Sequence, residues 1–289
     1  MMMEPNAGVR MDEKTRRSVW DVELDLLLKF DEFCKKYDLR YMVDYGTMLG
    51  TVRHKGFIPW DDDVDVMMLR PDYNRMLSLC DEYFEYPYYM QHYYKDVGIP
   101  TWGLTKLMNE ETACIENREI PEGYHSGIFM DIFVYDDVLM DTGQDPFASK
   151  LISEVYISLM DPGNALKLKN GTYQSVLSED MIRDLYNMPF QERARLFDSL
   201  LEQHFGETEK VAWSKYAFTD RFPRKHRNRH YYDKLIYMPF DSIEVPISAD
   251  YDKLLRHAYG DDYMTPKPGG SAHRDAFFDP YKSYKEYLE

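Results

Sequence analysis

The sequence predicts an α/β (α+β) fold, a mixed sheet flanked by helices and followed by a mostly helical elaboration. Three observations lead there. A long amphipathic pattern opens the chain at 13–37. Short apolar segments of strand-like composition follow at 39–45, 64–69 and 126–137. From about 145 the pattern turns helical, over 145–160 and 174–205. The division is expected near residue 140, with 1–140 as the core and 141–289 as the elaboration, packed together as one unit.

In chain order, Trp20, Leu24, Leu27, Phe30 and Cys34 recur at helical spacing, and Leu26, Phe33 and Tyr37 widen the stripe. "LRYMVDY" (39–45) reads as a short strand. "GTMLGTVRH" (46–54) reads as a turn opening a short helix, with Gly46 in the turn and Thr47 near the helix start. Pro59 stops any continuation of that helix. "VDVMML" (64–69) is the next strand, and 70–84 is a helix with Pro71 in its first turn. Weaker strand patterns lie at 87–94 and 102–116. "SGIFMDIFVYDD" (126–137) is a strong strand signal, rich in β-branched and aromatic residues. Mixed strands and loops are expected over 211–247, then a helix at 247–260 ended by Gly260, then a loop-like tail.

The formal net charge of −16 over 289 residues argues against a nucleic-acid partner, which calls for basic surface. "MMMEPNAGVRMDEK" lacks the apolar core of a signal peptide, and no apolar run approaches the roughly 20 residues of a spanning helix. The expected location is the cytoplasm, with peripheral contact at the inner face of a membrane left open. Cys34, Cys80 and Cys114 are widely spaced, which speaks for reduced, buried thiols over a zinc or disulfide framework.

The chemistry concentrates in "WDDDVDV". Strand alternation puts Asp63 and Asp65 on one face, about 7 Å apart, with Val64 and Val66 toward the core. Such a pair suits one or two hard cations, Mg²⁺ or Mn²⁺, and a bound cation offsets the mutual repulsion of the carboxylates. Asp131 interrupts the apolar run "GIFMDIFVY" and is the candidate third carboxylate. An EF-hand fails at its sixth position, Val66, and its twelfth, Asp72. Neither a Walker phosphate loop nor a G-x-G-x-x-G is present.

Strand, G-T turn, short helix and Asp-x-Asp strand together resemble the nucleotidyltransferase fold. "YGTMLGTVRHKGFIPWDDDVDV", "SGIFMDIFVYDD" and "VPISADYDKLLRHAYGDDYMTP" with the following His273 resemble the LicD family, which is related to fukutin-type proteins. The resemblance runs from about Leu39 to His273. It implies transfer of a phospho-alcohol, commonly phosphocholine, from CDP-choline or a related CDP-alcohol to a glycan or glycolipid hydroxyl, with CMP leaving. Lipopolysaccharide and teichoic acid are the acceptors it suggests. Carried onto this chain, it makes Asp61, Asp63, Asp65 and Asp131 the catalytic acids, with Asp63, Asp65 and Asp131 as metal ligands. Gly46, Thr47, Arg53 and His54 fall near the donor phosphates, with Lys106 and His273 as further candidates. The stretch 145–210 matches no recognised motif, and Val134 stands where the family often has Pro. Two alternatives remain: a nucleotidyltransferase proper releasing pyrophosphate from an NTP, and an inactive nucleotide-binding module. "DRFPRKHRNRH" (220–230) is the one basic patch, readable as an anion dock or as a solvated loop.

Overall fold

The computed structural model describes residues 11–95, 104–115, 123–139, 146–160, 175, 177–269, 273 and 276–288. The chain divides into two compact units, one of residues 1–91, 105–132 and 234–289, the other of 92–104 and 133–233. The grouping differs from a single cut near 140, because the C-terminal 234–289 belongs with the first unit.

In the first unit, α1 (Glu13–Lys36) starts where Asp12 accepts a hydrogen bond from the Thr15 N–H at 2.7 Å, and it ends with Lys35 and Lys36 against its negative pole. Its apolar face buries Val19, Leu26, Leu27, Phe30 and Phe33 completely, each stabilising by about 1.5–3 kcal/mol relative to exposure. The expected strand at 39–45 contracts to β1 (Met42–Val43), because Asp44 caps a helix that begins one residue before the predicted turn glycine. That helix is α2 (Tyr45–Arg53). Then come β2 (Asp65–Leu69), α3 (Arg70–Tyr83) with Pro71 in its first turn, and β3 (Tyr88–Gln91). The segment expected to be one strand at 102–116 is two, β4 (Leu104–Asn109) and β5 (Ala113–Ile115); its ends at 102, 103 and 116 lie outside the described residues. The break is a turn in which the Thr112 N–H and hydroxyl both bond the Asn109 carbonyl.

β6 (Ile128–Asp137) is buried along its whole length, its three aspartates included. In the first unit the sheet runs β1-β2-β6-β4-β3. β1 lies antiparallel to β2 with Val43 opposite Val66, and β6 is tied to the β2 approach by the Asp131 N–H donating to the Val64 carbonyl at 2.8 Å. This places Asp131 next to the aspartate segment.

In the second unit, α4 (Pro146–Met160), α5 (Glu179–Asn187) and α6 (Phe190–Glu202) share a core of Ile152, Val155, Leu185, Phe197 and Leu201. The predicted continuous helix over 174–205 is broken at Met188–Pro189, and residues 174 and 176 lie outside the described set. The end of β6 pairs with β7 (Lys210–Trp213), followed by α7 (Ser214–Ala217) and β8 (Arg227–Asn228). Here the basic patch resolves into two kinds of residue. Arg227 is buried over the Tyr135 ring and Arg229 pairs with buried Asp137, whereas Arg221 and Arg224 are exposed.

Back in the first unit, β9 (Leu235–Phe240) and β10 (Ile243–Ser248) form a hairpin, and α8 (Tyr251–Tyr259) ends at Gly260 with φ 91°. The tail expected to be loop contains β11 (Phe277–Asp279), which pairs with β5. The three cysteines are free and buried, as expected. Among the described residues, no helix is long and apolar enough to cross a membrane.

Candidate active site

The site is built around the N-terminus of α2, within the first unit. The Asp44 carboxylate accepts the Tyr45 N–H at 2.8 Å, and Tyr45 takes a positive φ of 41° to enter the helix. Tyr45 therefore makes the turn assigned to Gly46. Gly46 is needed for a different reason: a Cβ there would lie 2.5 Å from Asp61 Oδ2. The bare glycine lets the Asp61 carboxylate close on the first turn of α2, whose positive pole favours an anion.

Thr47 is buried. Its Oγ1 accepts the Asp65 N–H at 2.8 Å and so fixes the start of β2 on α2. Its hydroxyl is thus occupied in holding Asp65 in place. On the far side, Trp20 of α1 donates Nε1–H to the Asp61 carbonyl at 3.1 Å and stacks on Phe57 at 4.8 Å. The Asp61–Val64 stretch is irregular, since β2 starts only at Asp65, and the strict alternation read from sequence fails there. Asp62 consequently joins its neighbours: Asp61, Asp62 and Asp63 each offer a carboxylate oxygen, all within 4.8 Å of one another.

A cleft of about 380 Å³ opens over this cluster, lined by Asp61, Asp63 and Asp65 together with Trp60, Tyr259 and Tyr263. Gly46, Arg53 and Lys267 also line it. Arg53 donates to the Tyr263 carbonyl at 2.8 Å and through Nε to His54 Nδ1 at 3.3 Å, which leaves the proton of a neutral His54 on Nε2. Burial first, and then Arg53, pull the His54 pKa down. His54 itself turns edge-on to Trp60 and is not among the cleft-lining residues.

Asp131, also buried, lies beside Lys106, whose Nζ is 3.7 Å from Asp131 Oδ1 and 3.2 Å from the Phe129 ring centroid. His273 meets the same ring edge-on at 5.3 Å and reaches to 3.8 Å from Asp63 Oδ2. Lys106 and His273 thus bracket Phe129, with Asp131 next to one and Asp63 next to the other.

Burial pushes the Asp61 carboxyl up to about 6; a hydrogen bond with the Asp63 side chain opposes the rise, Asp62 adds to it, and His273 and Arg53 oppose it. Asp63 is raised well above the ordinary range by burial and then by Asp61, and Asp65 by burial and then by Asp63 and Asp131. Carboxylates held this close have oxygen donors in excess of nearby cations, the donor set that suits a hard divalent ion. Two acids escaped the sequence reading. Asp62 lay on the wrong face of an assumed strand. Glu23 was hidden in the apolar stripe of α1, where its only signal was a carboxylate next to a core-facing leucine.

Residues 38–139 match the LicD/FKTN/FKRP nucleotidyltransferase domain. Over 270 residues, 89% of this chain and 94% of the relative, the sequence is 27% identical to the lipopolysaccharide cholinephosphotransferase LicD of Haemophilus influenzae. An uncharacterized protein of Rickettsia typhi is 30% identical over 83 residues, 29% of this chain and 26% of that one. The matched domain spans α2, the aspartate segment, Lys106 and Asp131, and the similarity to the LicD protein runs on through the second unit and the C-terminal segment: residues 38–139 are similar to the LicD-type nucleotidyltransferase domain, and most of the chain to a LicD protein.

Proposed function

We propose that this protein is a phosphotransferase that moves a phospho-alcohol, phosphocholine foremost, from a CDP-activated donor to a hydroxyl of a cell-surface glycan or its lipid-linked precursor. The carrying observation is a cleft lined both by Asp61, Asp63 and the buried Asp65 and by the aromatic residues Trp60, Tyr259 and Tyr263. The relative that the chain matches over most of its length is named as a cholinephosphotransferase acting on lipopolysaccharide. The aromatic wall of Trp60, Tyr259 and Tyr263 fits a quaternary ammonium group, which is attracted to ring faces.

Asp63 and Asp65 would hold Mg²⁺ or Mn²⁺. Bound there, the ion supplies neutralisation of charge on the donor phosphates. The acceptor hydroxyl oxygen attacks the distal phosphorus in line. The bond from that phosphorus to the bridging oxygen breaks, and CMP leaves with the electron pair. Asp131 takes the hydroxyl proton, in reach of the ammonium of Lys106. Arg53 and Lys267, on the cleft wall, complement the oxygens of the diphosphate. Thr47 serves by fixing Asp65, and Gly46 by admitting Asp61.

The test is release of CMP from CDP-choline, CDP-ethanolamine, CDP-glycerol and CDP-ribitol, each with Mg²⁺, with Mn²⁺ and with EDTA, in the presence of a lipopolysaccharide acceptor. Metal-dependent CMP release favouring CDP-choline supports the reading. Pyrophosphate from CTP, with no CMP from any CDP-alcohol, would replace it with a nucleotidyl transfer.

A further inference from the structure

Glu23 occupies the buried face of α1 between Val19 and Leu26 and is 1% exposed. Its Oε2 has no hydrogen-bond partner among the described residues. A carboxylate in such a place is costly unless something offsets it. The face of α1 that carries it is docked on the aspartate segment. Arg16 donates to the Pro59 carbonyl at 3.1 Å, and Trp20 donates to the Asp61 carbonyl at the same distance. Glu23 follows Trp20 by one helical turn, so it comes next along that contact line. Asp62, 6% exposed, likewise has an Oδ1 with no partner among the described residues.

The unpartnered, buried Glu23 oxygen of α1 therefore accompanies the three mutually close carboxylates of Asp61, Asp62 and Asp63, of which Asp62 itself keeps an unpartnered oxygen. Opposite ligands of a Mg²⁺-sized ion lie roughly 4.2 Å apart, twice the metal–oxygen distance of about 2.1 Å. The 4.8 Å bound on the three aspartate oxygens is within a small adjustment of that. After burial, the strongest influences on the Glu23 carboxyl are Asp63, Asp62 and Asp61, in that order, and all raise it.

We infer that Glu23 and Asp62, with Asp61 and Asp63, form a second divalent-cation site on the α1 side of the cluster, distinct from the Asp63–Asp65 site of the proposed transfer. It rests on that reading only in sharing Asp63 as a ligand. The ion joins α1 to the 59–63 segment and fixes the approach to β2.

Mn²⁺ alone, titrated into the full chain without nucleotide and followed by the electron paramagnetic resonance of free Mn²⁺, tests this. The wild type is expected to bind two ions, and Glu23→Gln and Asp62→Asn one each. Asp65→Asn also loses one, and Glu23→Gln combined with Asp65→Asn loses both. Circular dichroism checks that each variant is folded. Glu23→Asp, which keeps the charge on a shorter stem, covers a collapse of Glu23→Gln and should weaken one site at least tenfold. Wild-type Mn²⁺ binding by folded Glu23→Gln would overturn the inference, as would one ion or none in the wild type. Two ions with the expected losses, but no CMP from any CDP-alcohol, would keep the site and reject the phosphotransfer.

Discussion

Replacing Asp61 with Asn should stabilise the metal-free protein while impairing it as an enzyme. The Asp61 carboxyl is pushed from 3.8 to about 6, chiefly by burial. At about 1.4 kcal/mol per tenfold change in proton affinity, that difference corresponds to roughly 3 kcal/mol spent against folding whenever the group is ionised. The sign follows from linkage. The folded form binds the proton more tightly than the unfolded one, so the penalty is absent below about pH 4 and fully present above about pH 6. Asn has nearly the same shape and no charge, and it also relieves Asp63, on which Asp61 is the largest influence after burial. For chains of this size about 1 kcal/mol moves a melting temperature by roughly 2–4 °C, so the gain should be about 6–12 °C.

The assay is thermal melting of both proteins in EDTA from pH 4 to pH 8. The two curves should coincide near pH 4, separate through pH 5–6 and stay apart above. Adding Mn²⁺ at pH 7.5 should raise the wild type more than the variant, because the ion neutralises the charge that the variant lacks. An advantage for Asp61→Asn that is equally large at pH 4, or none at pH 7.5 in EDTA, would refute the electrostatic account of this cluster.

Gly46→Ala puts a Cβ 2.5 Å from Asp61 Oδ2. Because the clashing atom is the end of a side chain, the loss of stability should stay near or below about 1 kcal/mol, the low end for overpacking; CMP release should fall at least tenfold as the carboxylate is displaced. Thr47→Val leaves the buried Asp65 N–H without its acceptor and should cost about 1–3 kcal/mol in denaturant titration. Lys106→Met leaves Asp131 buried without its ammonium and should destabilise by about 3–5 kcal/mol. Adding Asp131→Asn to it should restore most of that stability and none of the transfer activity, measured by melting and CMP release. Tyr259→Ala should raise KM for CDP-choline severalfold and leave KM for CDP-glycerol unchanged, since only choline presents a cation to the ring.

Much of the fold was legible because its signals are local. The stripe of α1, the Pro71 start of α3 and the Gly260 stop of α8 each depend on a few neighbouring residues. What was missed is long-range. β11 has little strand character of its own and exists because Phe277, Phe278 and Asp279 pair with Ile115, Cys114 and Ala113, more than 160 positions away. The single helix read over 174–205 failed for a local reason, the backbone bias that Pro189 imposes on Met188.

The acidic site divides along the same line. Asp61, Asp63, Asp65 and Asp131 stand out in sequence because charge interrupts apolar strand patterns there, and the structure puts the first three on one cleft, with the Asp131 N–H bonded to the Val64 carbonyl between Asp63 and Asp65. Gly46 was read as a turn residue, yet its requirement comes from Asp61, fifteen positions on, and only the folded chain reveals the contact. Glu23 is the harder case. On a helical wheel a lone Glu within an apolar stripe is indistinguishable from one reaching sideways to water, and its isolation from solvent follows from α1 being pinned by Trp20 to the Asp61 carbonyl. The same pin explains why the aspartates can crowd. The 57–63 segment is held by α1 from one side and admitted by the bare Gly46 of α2 on the other, so the carboxylates cannot relax apart. Cutting that pin with Trp20→Phe, which keeps the stacking surface and removes the Nε1–H, should let the segment recede. Mn²⁺ affinity should then fall severalfold, with little change in melting temperature in EDTA, because the lost hydrogen bond is offset by relief of repulsion. An unchanged Mn²⁺ affinity in that variant would mean that the crowding is set by β2 and α2 alone.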